Sequence, residues 1–250
     1  MKQTIAIANQ KGGVGKSTTA LALGAGYILK GYKVLYIDLD PQGNLSYTLG
    51  GKTSDYSILE VLNNQGTALQ ALQRTQGGGD LIPSSPSLSG SDIQLSQTGK
   101  EYKLSEAIAP IKGRYDYIII DTPPSLGILT VNALTACTWA IIPAQADTYS
   151  LQGIGQLYNT ISTVGQYCNP SLIIKGILLT RHNNRIILSR DMQDMIAEAA
   201  TQLGTVLFAT TIRENVALRE AQASRRDIFN YAPKSHAAQD YQALIDELVG

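Results

Sequence analysis

The sequence predicts a doubly wound α/β fold in which helices cover both faces of a mostly parallel sheet. Short apolar runs alternate with segments of helical periodicity from one end of the chain to the other. The run at residues 117–121 is apolar without interruption up to its final aspartate, which is typical of a strand buried on both faces. Repeated strand–helix units build such a sheet through right-handed crossovers. Because no repeat or linker divides the chain, we expect a single domain over residues 1–250.

The individual elements follow from the same patterns, taken in chain order. Apolar runs predict strands at residues 4–8, 33–38, 117–121, 140–143 and 172–179. Helical periodicity predicts helices near residue 16 and at residues 127–136, 151–164, 189–203 and 235–248. A capping box of Ser57 and Glu60 predicts a short helix that continues to Leu62. Glycines at 77–79 and prolines at 83–86 predict a loop-rich region.

The composition is that of an ordinary globular protein, with 44% hydrophobic and 16% charged residues. The 20 basic residues balance the 20 acidic residues, so any binding to DNA has to come from a local patch. The two cysteines and two histidines lack the spacing of a metal site or a disulfide framework. No apolar run approaches the roughly 18–20 residues of a membrane span, and strand-like sequence begins too early for a signal peptide. We therefore expect a cytoplasmic protein without a membrane partner.

A glycine-rich segment lies between the first strand and the first helix. Residues 12–18 read Gly-Gly-Val-Gly-Lys-Ser-Thr, and strand, loop and helix together are the context of a phosphate-binding loop. Glycines allow successive N–H groups to face an anion, and the helix start adds its positive dipole end. Lys16 would contact the β- and γ-phosphates of ATP, and the Ser17 hydroxyl would bind Mg²⁺. The predicted nucleotide-binding residues of the loop itself are Gly12, Gly13, Val14, Gly15, Lys16, Ser17 and Thr18.

An additional lysine distinguishes this loop from the common phosphate-binding loop. Gln10 stands where that loop has its first glycine, and Lys11 follows it. Lys11 is not needed to neutralise phosphates that already contact Lys16 and Mg²⁺, so it either points into solvent or reaches a nucleotide in another subunit. The pattern Lys-Gly-Gly-x-Gly-Lys-Ser resembles the deviant Walker loop of the ParA/MinD ATPases. The resemblance implies that Lys11 crosses a dimer interface to the partner's ATP, and that Lys11 and Lys16 take part in catalysis.

Carboxylates at two strand ends predict the metal site and the hydrolytic residue. Asp38 and Asp40 share one side of an extended chain, where one could steady the water shell of Mg²⁺ and the other orient the attacking water. The segment resembles the family's Asp-x-Asp-Pro-Gln-Gly-Asn, which implies a hydrolytic role for Asp40 and a metal-side role for Asp38. Asp121 closes a buried strand, and such a carboxylate is costly without a cation. We therefore predict that Ser17, Asp38 and Asp121 serve the metal.

The resemblance extends to the dimer face and to the adenine site. Residues 142–151 match a family segment that lines the dimer interface. Four further positions match those that flank the adenine, and they add these residues to the nucleotide site: Thr180, Arg181, Ile212 and Arg213.

The candidate DNA-binding surface is weakly basic. Residues 181–234 contain eight basic and six acidic residues, and a net charge of 8 − 6 = +2 fits a mixed solvated surface as well as a DNA site. In ParA proteins without an N-terminal helix-turn-helix, arginines in these regions bind DNA nonspecifically, and Arg185 and Arg213 occupy matching positions. Ala217 replaces the family's second arginine, with Arg219 two residues beyond it. The predicted DNA-binding residues are therefore Arg185, Arg213 and Arg219.

The resemblance implies a short ParA-type partition ATPase of the Soj type. Such a protein forms an ATP-dependent homodimer on nonspecific double-stranded DNA, associates with the nucleoid and is released when a ParB-like partner stimulates hydrolysis. A MinD-like membrane ATPase would need a basic amphipathic tail, whereas residues 240–250 are acidic. A relative of the nitrogenase iron protein would need a cysteine pair at the dimer face. A relative that positions another cargo on the nucleoid stays open.

Overall fold

The computed structural model describes residues 2–52, 56–91, 95, 97–183 and 187–250, with the backbone alone described at residues 187 and 188. The described residues form an eight-stranded sheet in the order β3-β4-β2-β5-β1-β6-β7-β8. All neighbouring strands are parallel except β3 and β4. The strands are β1 (Gln3–Ile7), β2 (Val34–Asp38), β3 (Gln73–Arg74), β4 (Asp80–Ile82), β5 (Tyr117–Asp121), β6 (Trp139–Ala144), β7 (Ile173–His182) and β8 (Ile212–Arg213). The predicted doubly wound α/β fold is confirmed.

Helices connect the strands. In the described part of the chain they are α1 (Lys16–Leu29), α2 (Asn44–Thr48), α3 (Ile58–Leu62), α4 (Ala68–Ala71), α5 (Lys103–Lys112), α6 (Ile128–Ala136), α7 (Thr148–Tyr167), α8 (Ile187–Gln202), α9 (Val216–Ala223), α10 (Ile228–Tyr231) and α11 (His236–Val249). Short 3-10 turns occupy Pro86–Gly90 and Lys100–Tyr102. The predicted capping box of α3 is present, because Ser57 accepts from the N–H of Leu59 while Glu60 accepts from the N–H of Ser57. No helix in these ranges is long and apolar enough to cross a membrane.

The structure extends some predicted elements and adds others. The fifth predicted strand continues to His182, and α7 begins at Thr148 because Asp147 caps it. The region predicted as loop at 77–86 contains β4, a three-residue strand that is too short to show alternation in the sequence. Helices α2, α4, α5, α9 and α10 are not among the predicted elements. For α2, α4 and α10 the reason is the same, since four or five residues cannot establish a helical period.

The sheet has a core layer on each face. Successive side chains of a strand point to opposite faces, and in β1 this directs Ile5 and Ile7 to one layer and Ala6 to the other. The first layer contains residues of α1 and α11, including Leu23 and Leu244. Helix α1 packs very closely here, because a Cβ at Gly24 would overlap the ring of Tyr36. This close packing holds the middle of α1 against β2.

Candidate functional site

The segment between β1 and α1 is shaped by its glycines. Gly13 and Gly15 have φ angles of 75° and 87°, a left-handed conformation that costs other residues roughly 1–2 kcal/mol. Gly15 is also the N-cap of α1 and provides no side chain that could accept from the helix. The first N–H groups of α1 are therefore left for an anion, which the positive end of the helix dipole also attracts.

A cavity of about 560 Å³ lies over this segment, within the size range of small-molecule sites. Most of the predicted nucleotide-site residues line it: Gly12, Gly13, Gly15, Lys16, Ser17 and Thr18 from the glycine-rich segment, and Thr180, Arg181, Ile212 and Arg213 from elsewhere. Asp40, the predicted hydrolytic residue, and Arg219, a predicted DNA-binding residue, line it as well. Val14 is fully buried and does not line the cavity, and neither does Lys11.

Lys16 is a buried cation at the floor of this cavity. Its side chain is almost inaccessible, and Nζ donates a 3.1 Å hydrogen bond to the carbonyl oxygen of Lys11. Burial lowers the pKa of Lys16, while the charges of Asp121 and Asp40 act in the opposite direction. An ammonium that is buried against a neutral carbonyl would gain from an anionic ligand in the cavity.

Two buried carboxylates lie side by side at the ends of β2 and β5. The strand register pairs Asp38 with Asp121, and adjacent strands are about 4.8 Å apart. Asp38 accepts hydrogen bonds from the N–H of Ser46 at 2.8 Å, the hydroxyl of Ser46 at 2.7 Å and the N–H of Asp40 at 3.1 Å. Neither carboxylate oxygen of Asp121 has a hydrogen-bond partner among the described residues, although the nearby Ser17 hydroxyl lowers its pKa.

The electrostatics of this pair favour a cation. Burial raises the pKa of Asp38 to about 6, even though the hydrogen bonds from Ser46 lower it. Burial, and then the charge of Asp38, raises the pKa of Asp121 well above the ordinary value. Adjacent buried carboxylates repel each other unless a positive charge balances them. The unpaired oxygens of Asp121 and the hydroxyl of Ser17 are the kind of ligands that Mg²⁺ prefers, so these residues fit a magnesium ion beside a phosphate.

Asp40 lies at the wall of the same cavity. Its Oδ1 accepts from the N–H of Gln42 at 3.0 Å, and its carbonyl oxygen accepts from the Ser84 hydroxyl at 2.5 Å. Gly43, with a φ of 62°, then turns the chain into α2. This turn holds the Asp40 carboxylate beside the cavity, where it could orient a water molecule.

Thr180 connects the far end of the cavity to the glycine-rich segment. Its hydroxyl contacts the carbonyl oxygens of Val14 at 2.9 Å and Ala144 at 3.2 Å. The strand register places Ile212 beside Thr180, and Arg181 follows with a left-handed φ of 50°. Apolar and backbone surface of this kind suits a nucleotide base.

Arg213, a predicted residue of both the adenine site and the DNA-binding surface, makes an ion pair inside the subunit. Its Nη2 lies 2.5 Å from Oδ1 of Asp240, and its Nε and backbone N–H donate to the same carboxylate. Arg219 lines the nucleotide cavity together with Arg213. Arg185 lies outside the described residues. Two of the three predicted DNA-binding residues thus lie at the nucleotide cavity, and one of them is already neutralised.

Lys11 also has a partner within its own subunit. Its Nζ lies 2.5 Å from Oδ2 of Asp147, the N-cap residue of α7. Burial alone would raise the pKa of Asp147, but the hydrogen bonds from Lys11 and Ser150 lower it. Close by, Tyr149 is 77% exposed and lines a shallow cavity with Lys11.

Sequence reasoning missed several of these contacts. Gln222 donates to the Thr18 hydroxyl at 2.9 Å, and the hydroxyls of Tyr241 and Thr19 lie 3.1 Å apart. Asp147 was within the segment assigned to the dimer face, but nothing in the sequence identified it as the partner of Lys11. These contacts join residues that are far apart along the chain, and no local motif indicates them.

Comparisons with known proteins agree with this geometry. A protein family described as "AAA domain" matches residues 2–174. The chain is 39% identical to the sporulation initiation inhibitor protein Soj of Bacillus subtilis, over 99% of this chain and 98% of that protein. It is also 39% identical to the chromosome partitioning protein ParA of Caulobacter vibrioides, over 99% and 94% of the two chains. A structure named cobyrinic acid a,c-diamide synthase from Mycobacterium smegmatis, with bound ATP analogue and magnesium, has a TM-score of 0.87 and 36% identity, over 100% and 95% of the chains.

Proposed function

The chain belongs to the ParA family of P-loop ATPases, and from this we propose that it is a partition ATPase whose ATP-bound dimer binds DNA. The glycine-rich segment that ends in Lys16 at the uncapped start of α1, opposite the unpaired carboxylate of Asp121, is the observation that carries the proposal. Within one cavity, Lys16 and the start of α1 offer a cationic site for phosphates, and Asp121 offers an anionic site for magnesium.

The nucleotide would lie along the cavity from α1 to the end of β7. The N–H groups of residues 12–18 and the ammonium of Lys16 bind the phosphates, which replace the carbonyl of Lys11 as the partner of Lys16. Thr180 and Ile212 contact the base, and Arg181 and Arg213 flank it. The Tyr241 hydroxyl contacts that of Thr19, and the Gln222 amide donates to the Thr18 hydroxyl. These two contacts support the start of α1.

Hydrolysis would depend on the carboxylates at the strand ends. Asp40 orients the attacking water, and Asp38 holds the turn that carries Asp40. Ser17 and Asp121 would hold Mg²⁺, which when bound offsets the negative charge of the phosphates. Lys11 would leave Asp147 and contact the partner subunit's triphosphate, so that ATP occupancy controls pairing of the subunits.

The dimer would bind nonspecific double-stranded DNA and associate with the nucleoid. Doubling a patch with a small net positive charge gives salt-sensitive binding to phosphates, for which Arg185 and Arg219 are the candidates. A ParB-like partner would then stimulate hydrolysis and release the dimer. This cycle would move a plasmid or chromosome, or another cargo if the partner carries one.

Retention on DNA tests the proposal directly. Purified protein is passed over immobilised nonspecific duplex DNA with ATP and Mg²⁺, with ADP and Mg²⁺, and without nucleotide, and Lys16→Ala serves as the control that cannot bind ATP. We expect retention with ATP alone, and none for the variant. Equal retention in all three conditions would contradict an ATP-controlled DNA-binding dimer, and ATP-dependent binding to lipid vesicles instead would favour a membrane-positioning relative.

The name of the mycobacterial structure denotes a different reaction, so it supplies a second candidate. ATP turnover should therefore also be measured with cobyrinic acid and with ammonia or glutamine as nitrogen donor. We expect no stimulation by these compounds, whereas ATP-dependent amide formation would replace the partition proposal.

A further inference from the structure

The segments that follow β2 and β4 meet at the carboxyl end of the sheet. The two strands are parallel, and their register places Ile82 beside Ile37. The chain after β4 therefore leaves the sheet next to the turn that carries Asp40, the proposed hydrolytic residue. Ser84 lies two residues beyond β4 and is only 1% exposed. A serine that is buried at this position has to direct its hydroxyl and its N–H to partners inside the protein.

Ser84 is bonded to this turn through both of its donors. Its hydroxyl donates to the carbonyl oxygen of Asp40 at 2.5 Å, and its N–H donates to the hydroxyl oxygen of Ser46 at 2.9 Å. The Ser46 hydroxyl donates in turn to Oδ2 of Asp38 at 2.7 Å. The N–H of Asp40 donates to Oδ1 of the same Asp38 carboxylate at 3.1 Å, which closes a ring. These buried residues therefore join the hydrolytic turn, α2 and the end of β4 in one hydrogen-bonded unit.

The segment that carries Ser84 is also held from its other side. The N–H of Ile58, the first residue of α3, donates to the carbonyl oxygen of Pro83 at 2.9 Å. Ile58 is completely buried, and it belongs to the same core layer as Ile82 and Leu88 on either side of Ser84. Because core packing fixes these neighbours, Ser84 is a firm point to which the turn is attached.

The remaining contacts of Asp40 shape the turn from within. The N–H of Gly43 donates to the Asp40 carbonyl oxygen at 2.8 Å, and the N–H of Gln42 donates to Oδ1 of Asp40 at 3.0 Å. Contacts inside a turn fix its shape, whereas the bond from Ser84 ties the Asp40 backbone to a neighbouring strand end. This difference matters for a carboxylate that orients water, because a misplacement of about 1 Å can cost roughly 100-fold in rate.

We propose that Ser84 and Ser46 are positioning residues for ATP hydrolysis, which hold the Asp40 carboxylate where it orients the attacking water. Neither serine lines the nucleotide cavity, so both act through the turn and not on the substrate. Loss of either hydroxyl opens the ring and lets the turn shift, while the glycine-rich segment keeps its shape. The rate of cleavage then falls without a loss of ATP binding. This role rests on the proposed ATPase function.

Single-turnover cleavage of ATP tests the role of the two serines. The full-length protein is mixed in excess over labelled ATP with Mg²⁺, for wild type, Ser84→Ala, Ser46→Ala and the double variant. The affinity for a fluorescent ATP analogue and the number of binding sites per chain are measured on the same samples. Ser87→Ala is the matched control, because Ser87 is an exposed serine of the same segment. Alanine removes only a hydroxyl, and it favours the helix at position 46, so each variant should fold.

We expect the cleavage rate to fall about tenfold in each single variant and to stay unchanged in Ser87→Ala. Affinity for the analogue should stay within about twofold of wild type, with one site per chain. Residues of one hydrogen-bonded unit are not additive, so the double variant should lose about 10- to 30-fold and not the 100-fold product. A full product would overturn the shared ring.

Two other results would overturn the positioning role itself. One is cleavage at the wild-type rate in both single variants. The other is a parallel loss of cleavage rate, affinity and binding sites, which would mean that the serines only stabilise the fold. In either case wild type still cleaves ATP, so the proposed function stands. A wild type that binds ATP but cleaves none would contradict the proposed function and this role together.

Discussion

The Lys11 ammonium lies 2.5 Å from the Asp147 carboxylate of its own subunit, with the two side chains 29% and 35% exposed. A lysine that serves a neighbouring subunit must first leave this partner. Ion pairs that are about one-third exposed contribute roughly 0.2–1 kcal/mol to the free energy of unfolding. Exchanging Asp147 for a triphosphate therefore costs Lys11 little, compared with what the contact with phosphate gains. In the proposed dimer, the pair would therefore act as a weak restraint on association.

Removing this restraint should strengthen the dimer. In Asp147→Asn the side chain still caps α7, because asparagine is as good an N-cap as aspartate, but the charge that holds Lys11 is gone. With a non-hydrolysable ATP analogue and Mg²⁺, we expect the dimer dissociation constant from sedimentation to fall about two- to fivefold. The matched control is Asp246→Asn, which breaks the exposed pair with Lys30 and should change nothing. A weaker dimer in Asp147→Asn would mean that Asp147 supports the interface.

Asp40 should be needed for turnover but not for binding. Its carboxylate stands at the cavity wall and, among the described residues, accepts from Gln42 and makes no hydrogen bond to the glycine-rich segment. We expect Asp40→Ala to bind ATP normally while its hydrolysis falls about 100-fold or more, which traps the dimer on DNA. Phosphate release and DNA retention measure the two effects. Hydrolysis at the wild-type rate would remove Asp40 from the mechanism.

The chemistry of the site could be read from the sequence wherever it was contiguous. The segment at 10–18 and the carboxylates after two apolar runs predict the phosphate and metal sides, and the register that pairs Asp38 with Asp121 follows from a parallel sheet. The partner of Lys11 could not be predicted, because Asp147 is distant in sequence and only the docking of α7 brings it near. The same holds for the pair of Arg213 and Asp240, which depends on the packing of α11. Strands as short as β4 and β8 leave no alternation to detect.

The charge of Asp121 should destabilise the protein without ligand. Its pKa is raised in the folded state, so the folded chain binds this proton more readily than the unfolded chain does. Asp121 therefore adds to the free energy of unfolding below about pH 4, the usual aspartate pKa. This contribution is lost as the pH rises toward the raised pKa of the folded state. We therefore expect the Tm of Asp121→Asn to exceed that of wild type by an amount that grows between pH 4 and pH 8.

Magnesium should reverse this difference. With Mg²⁺ and a non-hydrolysable ATP analogue at pH 7.5, wild type should gain thermal stability and Asp121→Asn should gain much less. A Tm difference that does not vary with pH would show that Asp121 does not titrate as its burial implies. An equal gain with Mg²⁺ in both proteins would place the metal elsewhere.

Arg213 should contribute little to DNA binding while it is paired. Because Asp240 already neutralises its guanidinium, Arg213→Ala should lower DNA affinity less than Arg219→Ala or Arg185→Ala. Asp240→Asn should raise affinity, and should steepen the dependence on salt by about one unit of slope per freed charge. Fluorescence anisotropy on a nonspecific duplex at several salt concentrations measures both quantities. A larger loss in Arg213→Ala than in Arg219→Ala would show that DNA displaces Asp240.

ATP is proposed to join two subunits through Lys11, and the mass of the particle in solution tests this most directly. Light scattering after gel filtration should give a dimer for wild type saturated with a non-hydrolysable ATP analogue and Mg²⁺, and a monomer with ADP. Lys11→Ala should stay monomeric with the analogue although it still binds it. A wild-type protein that remains monomeric when saturated with the analogue, or a Lys11→Ala variant that dimerises like wild type, would contradict the account.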